Sequence, residues 1–197
     1  MARPQLHLSG DKDADAVLSR DPLALLIGMV LDQQIPLEKA FSSPAELARR
    51  LGTALNAADI AAMDPDALAD VFKERPALHR FPGSMAGRVQ QVCHVVAEDY
   101  DNKAQNIWRG AKTGEELLAR IEALPGFGAQ KARIFTALLG KQLGVCPEGW
   151  RDASSPFGDQ GTFLSVADIT DAESMAQVRA AKKAAKAEAR ANAAAAG

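Results

Sequence analysis

The chain has 197 residues, of which 47% are hydrophobic and 24% are charged, and its formal net charge is −2. This balance is typical of a soluble globular protein of one domain, and it excludes a protein that binds polyanions through its overall charge. No apolar run approaches the roughly 20 residues that a membrane-spanning helix needs. The N-terminus also lacks the basic segment and apolar core of a signal peptide. We therefore expect a cytoplasmic protein, free to reach the nucleoid in a bacterium, with no membrane partner.

Charge is unevenly distributed along the sequence. Residues 1–78 contain eight basic and twelve acidic side chains, a net of −4, whereas residues 126–151 have a net of +3 and residues 179–197 a net of +4. A local basic face matters more for phosphate binding than the charge of the whole chain does. The second half of the sequence is therefore where an anionic partner is expected.

Cysteine and histidine are too scattered to indicate a metal centre. Cys93 and Cys146 lie far apart, and His7, His79 and His94 form no spaced cluster. Isolated thiols of this kind predict no zinc site, no iron–sulfur cluster and a reducing compartment. We expect no metal and no cofactor.

Helix signals follow one another along almost the whole chain. Asp-Pro or Ser-Pro pairs and capping residues mark the beginnings of helices, which are predicted after Asp21, Ser43, Asp64, Ser84 and Thr113. Thr113 and Glu116 have the spacing of a capping box. A further helix is predicted from about Ala129 to Leu143, ending at Gly144. No alternating strand pattern is present, so the sequence predicts an all-α fold.

The C-terminal part has a different pattern. Residues 147–163 are typical of an irregular loop, and Ser165 to Arg179 is predicted to be helical. We therefore expect a domain over residues 1–178 and an Ala- and Lys-rich tail over residues 179–197. The tail is interpreted either as a frayed, solvated helix or as a basic arm that binds phosphate or another partner.

The most informative segment is Leu124-Pro125-Gly126-Phe127-Gly128, which separates two predicted helices. Two glycines around one apolar residue form a tight hairpin that another molecule can approach closely. The free N–H groups and positive dipole end of the following helix point outward there, which makes an anion site. The alternative is an ordinary helix-to-helix turn, since Pro-Gly is a common turn signal.

Leu124–Ala132 resembles the helix-hairpin-helix of the base-excision DNA glycosylases, a family of all-α proteins with two lobes around a cleft. Leu124, Pro125, Gly126, Gly128 and Ala132 match the family's hairpin. The apolar segment 25–31, followed by Asp32-Gln33-Gln34, is similar to the helix and Gln-containing turn with which the family probes the duplex. Residues 82–88 resemble the short turn and helix between the two motifs. The likeness covers roughly residues 20 to 152.

This resemblance implies a set of DNA contacts. Backbone amides at the hairpin would hold a phosphate without reading sequence, and Gln33 or Gln34 would fill the gap left by a base that has turned out into a pocket. The DNA-binding residues implied in this way are Gly126, Phe127, Gly128, Gln130, Lys131, Gln33 and Gln34. Double-stranded DNA with a damaged or mismatched base is the implied partner, and we expect the protein to act as a monomer.

The implied chemistry departs from the family at two positions. The family's catalytic Asp lies about twenty residues after the second glycine of the hairpin, where this chain has Glu148, with Asp152 four residues later. Either carboxylate could stabilise the positive charge that develops on the sugar. The family's Schiff-base lysine is replaced by Gln130, and Lys131 should point elsewhere because it lies about 100° further around the helix. The resemblance therefore implies a monofunctional glycosylase.

Two tryptophans are candidates for stacking on a base. Trp150 is interpreted either as a pocket wall or as core, and Trp108 is predicted to lie in the core.

Three hypotheses for function remain open at this point. The first is a glycosylase, the second a DNA-binding protein that has lost catalysis, and the third a helical protein-interaction domain whose hairpin is only a turn. A carboxylate at Glu148 or Asp152 that faces the cleft of Gln33, Gln34 and the hairpin would favour the first. Binding to a duplex that weakens steeply with salt would exclude the third.

Overall fold

The computed structural model describes residues 5–195, and within that range the regular structure is entirely helical. The helices are α1 Lys12–Arg20, α2 Pro22–Leu31, α3 Leu37–Leu51, α4 Ala57–Ala62, α5 Pro65–Lys73, α6 Pro82–Asp99, α7 Gly114–Glu122, α8 Ala129–Leu143, α9 Trp150–Ala153 and α10 Ala172–Ala195. Ala104–Ile107 and Val166–Asp168 form single 3₁₀ turns. The predicted all-α fold is confirmed. No described helix has the length and apolar character that crossing a membrane requires.

Side-chain caps fix three of the helix beginnings that the sequence predicted. The Asp21 carboxylate accepts the N–H of Leu23 before Pro22, and the Asp64 carboxylate accepts two N–H groups before Pro65. Gly144 ends α8 in the left-handed conformation, at φ 69°. The predicted capping box at Thr113 is only half formed. Its hydroxyl accepts the N–H of Glu116, but the Glu116 carboxylate accepts the N–H of Lys112 at 2.8 Å instead of returning to Thr113.

Two predicted helix beginnings are wrong. Ser43-Pro44 lies inside α3, which already begins at Leu37. Burial of the α3 face that includes Phe41 and Leu47 outweighs the hydrogen bond that Pro44 cannot make. The Ser43 hydroxyl bridges the carbonyl oxygens of Lys39 and Leu78. The helix predicted to begin at Ser84 begins at Pro82.

The core surrounds α2, in which every residue from Leu23 to Leu31 is buried. Helices α1, α3 and α6 pack around it together with the turn 104–107. Helix α8 contributes Phe135, which meets the edge of Trp108 with ring centroids 5.8 Å apart. The prediction that Trp108 lies in the core is confirmed. This packing brings the C-terminal end of α2 next to the N-terminal end of α8.

Trp150 is also a core residue, with 8% of its surface exposed. A Cβ added at Gly140 would lie 2.3 Å from the Trp150 ring, and one added at Gly114 would lie 2.4 Å from the Trp150 Cα. Because Gly114 and Gly140 have no side chains, they leave the space between α7 and α8 that Trp150 occupies. Of the two interpretations of Trp150, the structure supports the core.

The C-terminal segment returns to α8 before it forms α10. Asp168, 4% exposed, pairs with Lys141 of α8 at 2.6 Å between Oδ1 and Nζ. Its other oxygen accepts the N–H groups of Leu164 and Ser165. The helix predicted over residues 165–179 is corrected to a 3₁₀ turn followed by α10. The predicted boundary at residues 178–179 falls inside this continuous helix.

Candidate nucleic-acid interface

The hairpin is held in a conformation that only glycine tolerates at its first position. Gly126 has φ +82°, and a Cβ there would lie 2.6 Å from the Arg88 side chain. Gly128 is the N-cap of α8 with φ −87°, and no atom of a non-neighbouring residue in the described chain lies within 4 Å of its Cβ position. The first hydrogen bond of α8 runs from the Ala132 N–H to the Gly128 carbonyl. The preceding amides of the first turn therefore point outward, and no side chain of the described residues caps them.

Phe127 anchors the hairpin and faces inward. Its side chain is 5% exposed and packs on Phe135 with centroids 5.9 Å apart. Its N–H donates to the Leu124 carbonyl at 3.1 Å. The expected DNA contact of Phe127 is corrected accordingly, because both its ring and its amide are already engaged. An apolar residue is needed there because the tip of the hairpin reaches the core.

The two glutamines after α2 have different environments. The Gln33 side chain donates to the Val30 carbonyl at 2.7 Å and accepts from Arg88 Nη1 at 3.1 Å. The backbone carbonyl of Gln33 lies 2.9 Å from His79 Nε2. Gln34 is exposed, has φ +56°, and its side chain makes no hydrogen bond within residues 5–195. Gln33 is thus fixed, and Gln34 is free to reach outward. The sequence left this choice open, and it did not single out His79 or Arg88 as the residues that hold the turn.

A cleft of about 860 Å³ lies between the glutamine turn and the hairpin helix. One side is formed by the end of α2 and its turn, and the opposite side by the first turns of α8. The loop after α9 contributes Phe157 and Leu164, and α10 forms a third side with Ala181, Lys182 and Ala185. The predicted residues that line the cleft are Gln33, Gln34, Gly128, Gln130 and Lys131. The structure thus brings together the two motifs that the sequence separates by about ninety residues.

Lys131 lines this cleft, so the expectation that it points elsewhere is corrected. Its Nζ donates to the Val30 carbonyl at 3.2 Å, and burial lowers its pKa. A lysine side chain is long enough to lean across the helix surface, so the rotation between Gln130 and Lys131 does not separate their ends. Gln130 and Lys131 both face the cleft.

Asp32 is a cleft residue to which the sequence motifs alone assigned no role. It ends α2, and burial raises its pKa against the opposing effect of the Lys182 and Lys131 charges. A carboxylate in partly apolar surroundings with two cations nearby is the electrostatic setting expected of a functional acid. The available signal was its place directly before the Gln-Gln turn.

Glu148 and Asp152 lie outside the cleft. The Glu148 backbone pairs with the N-terminal end of α7, where its carbonyl accepts the Gly114 N–H at 2.7 Å, and its side chain is exposed. Asp152 is exposed on α9. The insertion of Trp150 between α7 and α8 fixes both positions, because it ties this loop to the α7 side of the hairpin helix. Neither carboxylate is among the residues that line the cleft.

Comparison with known proteins agrees with this geometry. The family model of the HhH-GPD superfamily base excision DNA repair protein matches residues 27–196. The chain belongs to this superfamily, which places it in base excision DNA repair. Searches of curated proteins and of solved structures each find no match.

Proposed function

We propose that this protein is a monofunctional DNA glycosylase that hydrolyses the bond between a damaged or mismatched base and its deoxyribose. One observation carries the proposal. The free Gln34, the uncapped amides of α8 and the half-buried Asp32 all border one cleft large enough for a base. Membership of the base excision repair superfamily supports the same reaction class.

The duplex is positioned by the hairpin. The first-turn amides of α8 donate to one backbone phosphate, where the helix dipole favours a negative charge. Gln34 enters the base stack in the space left by the extruded nucleotide, while Gln33 keeps the turn in place through Arg88 and His79. The extruded base then enters the cleft, because the glycosidic bond cannot be reached inside a stacked duplex.

Asp32 supplies the carboxylate in this mechanism. As the bond from C1′ to the base nitrogen breaks, the base leaves with the bonding electrons, and positive charge develops on the sugar. The ionised Asp32 stabilises that charge and accepts a proton from the water that attacks C1′. Its raised pKa favours proton acceptance. The departing base takes up a proton from solvent and Asp32 returns its own to solvent, so the products are a free base and an abasic site.

Lys131 contributes charge to the cleft in this scheme. Its contact with the Val30 carbonyl keeps the ammonium next to α2, where it helps to keep Asp32 ionised. We therefore propose hydrolysis without strand cleavage. Borohydride should trap no covalent adduct between the parent protein and an abasic duplex, and a trapped adduct that is absent from Lys131→Arg would overturn this part.

The decisive measurement is base release from a panel of duplexes, each with one uracil, alkylated purine, oxidised purine or mismatch. Abasic products are read by alkaline cleavage. We expect release from one substrate class and its loss in Asp32→Asn, with duplex binding retained. Glu148→Gln and Asp152→Asn are the matched controls and should remain active. Activity in Asp32→Asn together with inactivity in either control would reassign the carboxylate.

A second function is favoured by the positions of Glu148 and Asp152. If the chemistry required a carboxylate on that loop, the protein would bind DNA without releasing a base from it. Salt-sensitive binding to duplexes without release from any of them would establish this alternative. Absence of any duplex binding would exclude both.

A further inference from the structure

The C-terminal helix has an anchored half and an exposed half. Val178 is 1% exposed and Ser174 7%, Met175 packs against the core, and Arg179 is paired with Glu38 at the beginning of α3. Every residue from Lys182 to Asn192 is exposed. At 1.5 Å per residue, this second half extends about 15 Å beyond the anchored part. It begins at the cleft, where Ala181 and Lys182 form part of the lining.

The basic residues of the exposed half share one face. Successive residues of an α-helix differ by about 100°, so Lys182, Lys186 and Arg190 fall within about 80° of one another, and Lys183 lies about 20° further on. Glu188 lies on the other side of the helix. None of the four basic residues takes part in an ion pair within the described part of the chain. The four are named the basic stripe.

The stripe is continuous with the cleft. Lys182 lines the cleft and lies close enough to Asp32 to affect its pKa. From there the stripe extends away from the core over about 12 Å, which corresponds to three or four nucleotides of one strand at about 3.4 Å each. An exposed helical segment this short gains little stability by itself. Its charge pattern fits a polyanion that already lies at the mouth of the cleft.

We propose that the basic stripe of α10 is a second phosphate-binding surface, which holds the DNA backbone beside the cleft while the hairpin holds the duplex near Gly128. This inference rests on the proposed function, because it assumes that the duplex occupies the cleft. The stripe binds phosphates, so it adds affinity without sequence preference.

The test compares two triple variants of equal charge. Lys183→Ala, Lys186→Ala and Arg190→Ala together remove most of the stripe, and alanine preserves the helix. Lys182 stays because it lines the cleft. The control replaces Lys12, Lys103 and Lys112 with alanine, at exposed positions that do not line the cleft. Binding to a 30-base-pair duplex with one abasic-site analogue is measured by fluorescence anisotropy at several salt concentrations.

The slope of log affinity against log salt should become shallower by about 0.9 for each phosphate that the variant no longer neutralises, and so by at most about 2.7 in the stripe variant. The control variant should keep the parental slope. An unchanged slope in the stripe variant, or an equal change in the control, would overturn the inference while leaving the proposed function intact. A parent protein without salt-dependent binding would overturn the proposed function itself. Faster base release or tighter binding in the stripe variant would show that α10 obstructs the cleft, which also contradicts the inference.

Discussion

Arg88 connects Gln33 to the hairpin. Its Nη1 donates to the Gln33 Oε1 at 3.1 Å, and its aliphatic portion occupies the space directly over Gly126. One side chain of α6 thus contacts both elements that face the proposed duplex. The geometry between the glutamine turn and the hairpin therefore depends on a residue that belongs to neither.

The two hairpin glycines should respond differently to alanine. Gly128→Ala should leave the fold intact, since its φ is −87° and its Cβ position is open, but the methyl group lies where a phosphate would approach. Loss of one hydrogen bond to a charged group is worth roughly 1.5–3 kcal/mol, so duplex binding should weaken about tenfold or more.

Gly126→Ala should instead destabilise the fold by at least about 1–2 kcal/mol, because its φ is +82°. Anisotropy and urea unfolding of both variants measure this, and equal duplex affinity of Gly128→Ala and the parent would refute the hairpin assignment.

The two glutamines should separate function from stability. Gln34→Gly should retain or raise the free energy of unfolding, because glycine accepts a φ of +56° without strain. It should also abolish most base release, because no side chain remains to fill the gap in the stack. Gln33→Ala should lower stability by about 1–3 kcal/mol, since it removes two side-chain hydrogen bonds in the turn. Base release and urea unfolding are compared in the two variants, and full activity of Gln34→Gly would show that Gln34 does not enter the duplex.

Stability should fall in mild acid because of His79. Its Nδ1 accepts the Phe81 N–H at 3.0 Å, and in that tautomer Nε2 donates to the Gln33 carbonyl at 2.9 Å, so the buried ring is held neutral. Burial lowers the pKa of His79 below its usual value of about 6.5. The unfolded chain therefore binds more protons below pH 6.5, and the free energy of unfolding should decrease as the pH falls from there.

Urea unfolding at pH 7 and pH 5 measures this effect. His79→Gln should show a smaller difference between the two pH values than the parent does. His94→Gln, at an exposed position, is the matched control and should keep the parental difference. A parental difference in His79→Gln would contradict the assignment.

The packing of Trp150 predicts that alanine substitution has opposite effects on stability at two glycines in helices. Gly140→Ala would place a methyl group 2.3 Å from the Trp150 ring and should cost about 1–3 kcal/mol of unfolding free energy. Gly87→Ala, in the interior of α6, has no atom of a non-neighbouring described residue within 4 Å of its Cβ position and should stabilise the helix by about 0.5–1 kcal/mol. Urea unfolding of both variants checks the sign of each change. Equal stability of Gly140→Ala and the parent would mean that Trp150 packs elsewhere.

Local sequence signals predicted the fold well where the cause of structure is local. The caps at Asp21 and Asp64 and the glycine stop at Gly144 need only their neighbours, and each is confirmed. Pro44 shows the opposite case, because burial of α3 against the core outweighs a local breaker. Propensity alone cannot measure such burial, which depends on residues far along the chain.

The candidate site was predictable only in part, because its geometry also depends on contacts between residues far apart along the chain. The hairpin and the Gln-Gln turn are short motifs, and the structure places both at one cleft. Counting from Gly128 predicts the carboxylate at Glu148 or Asp152, but Trp150 packs between α7 and α8 and holds both of these side chains at exposed positions outside the cleft. Asp32 reaches the cleft through the position of the α2 terminus, which no spacing along the sequence reveals. His79 and Arg88 act through contacts 46 and 55 residues distant from Gln33.

The pairing of Asp168 with Lys141 constrains how the cleft can change its width. Both Asp168 oxygens are bound, one to α8 and the other to the amides of Leu164 and Ser165. Asp168 thereby connects the segment around Leu164 to the hairpin helix α8, and these two parts of the cleft lining form one unit. Any change in the width of the cleft must therefore come from movement of the α2 turn or of α10 relative to this unit. Of these two sides α10 is the less anchored, since every residue from Lys182 to Asn192 is exposed whereas α2 is buried from Leu23 to Leu31.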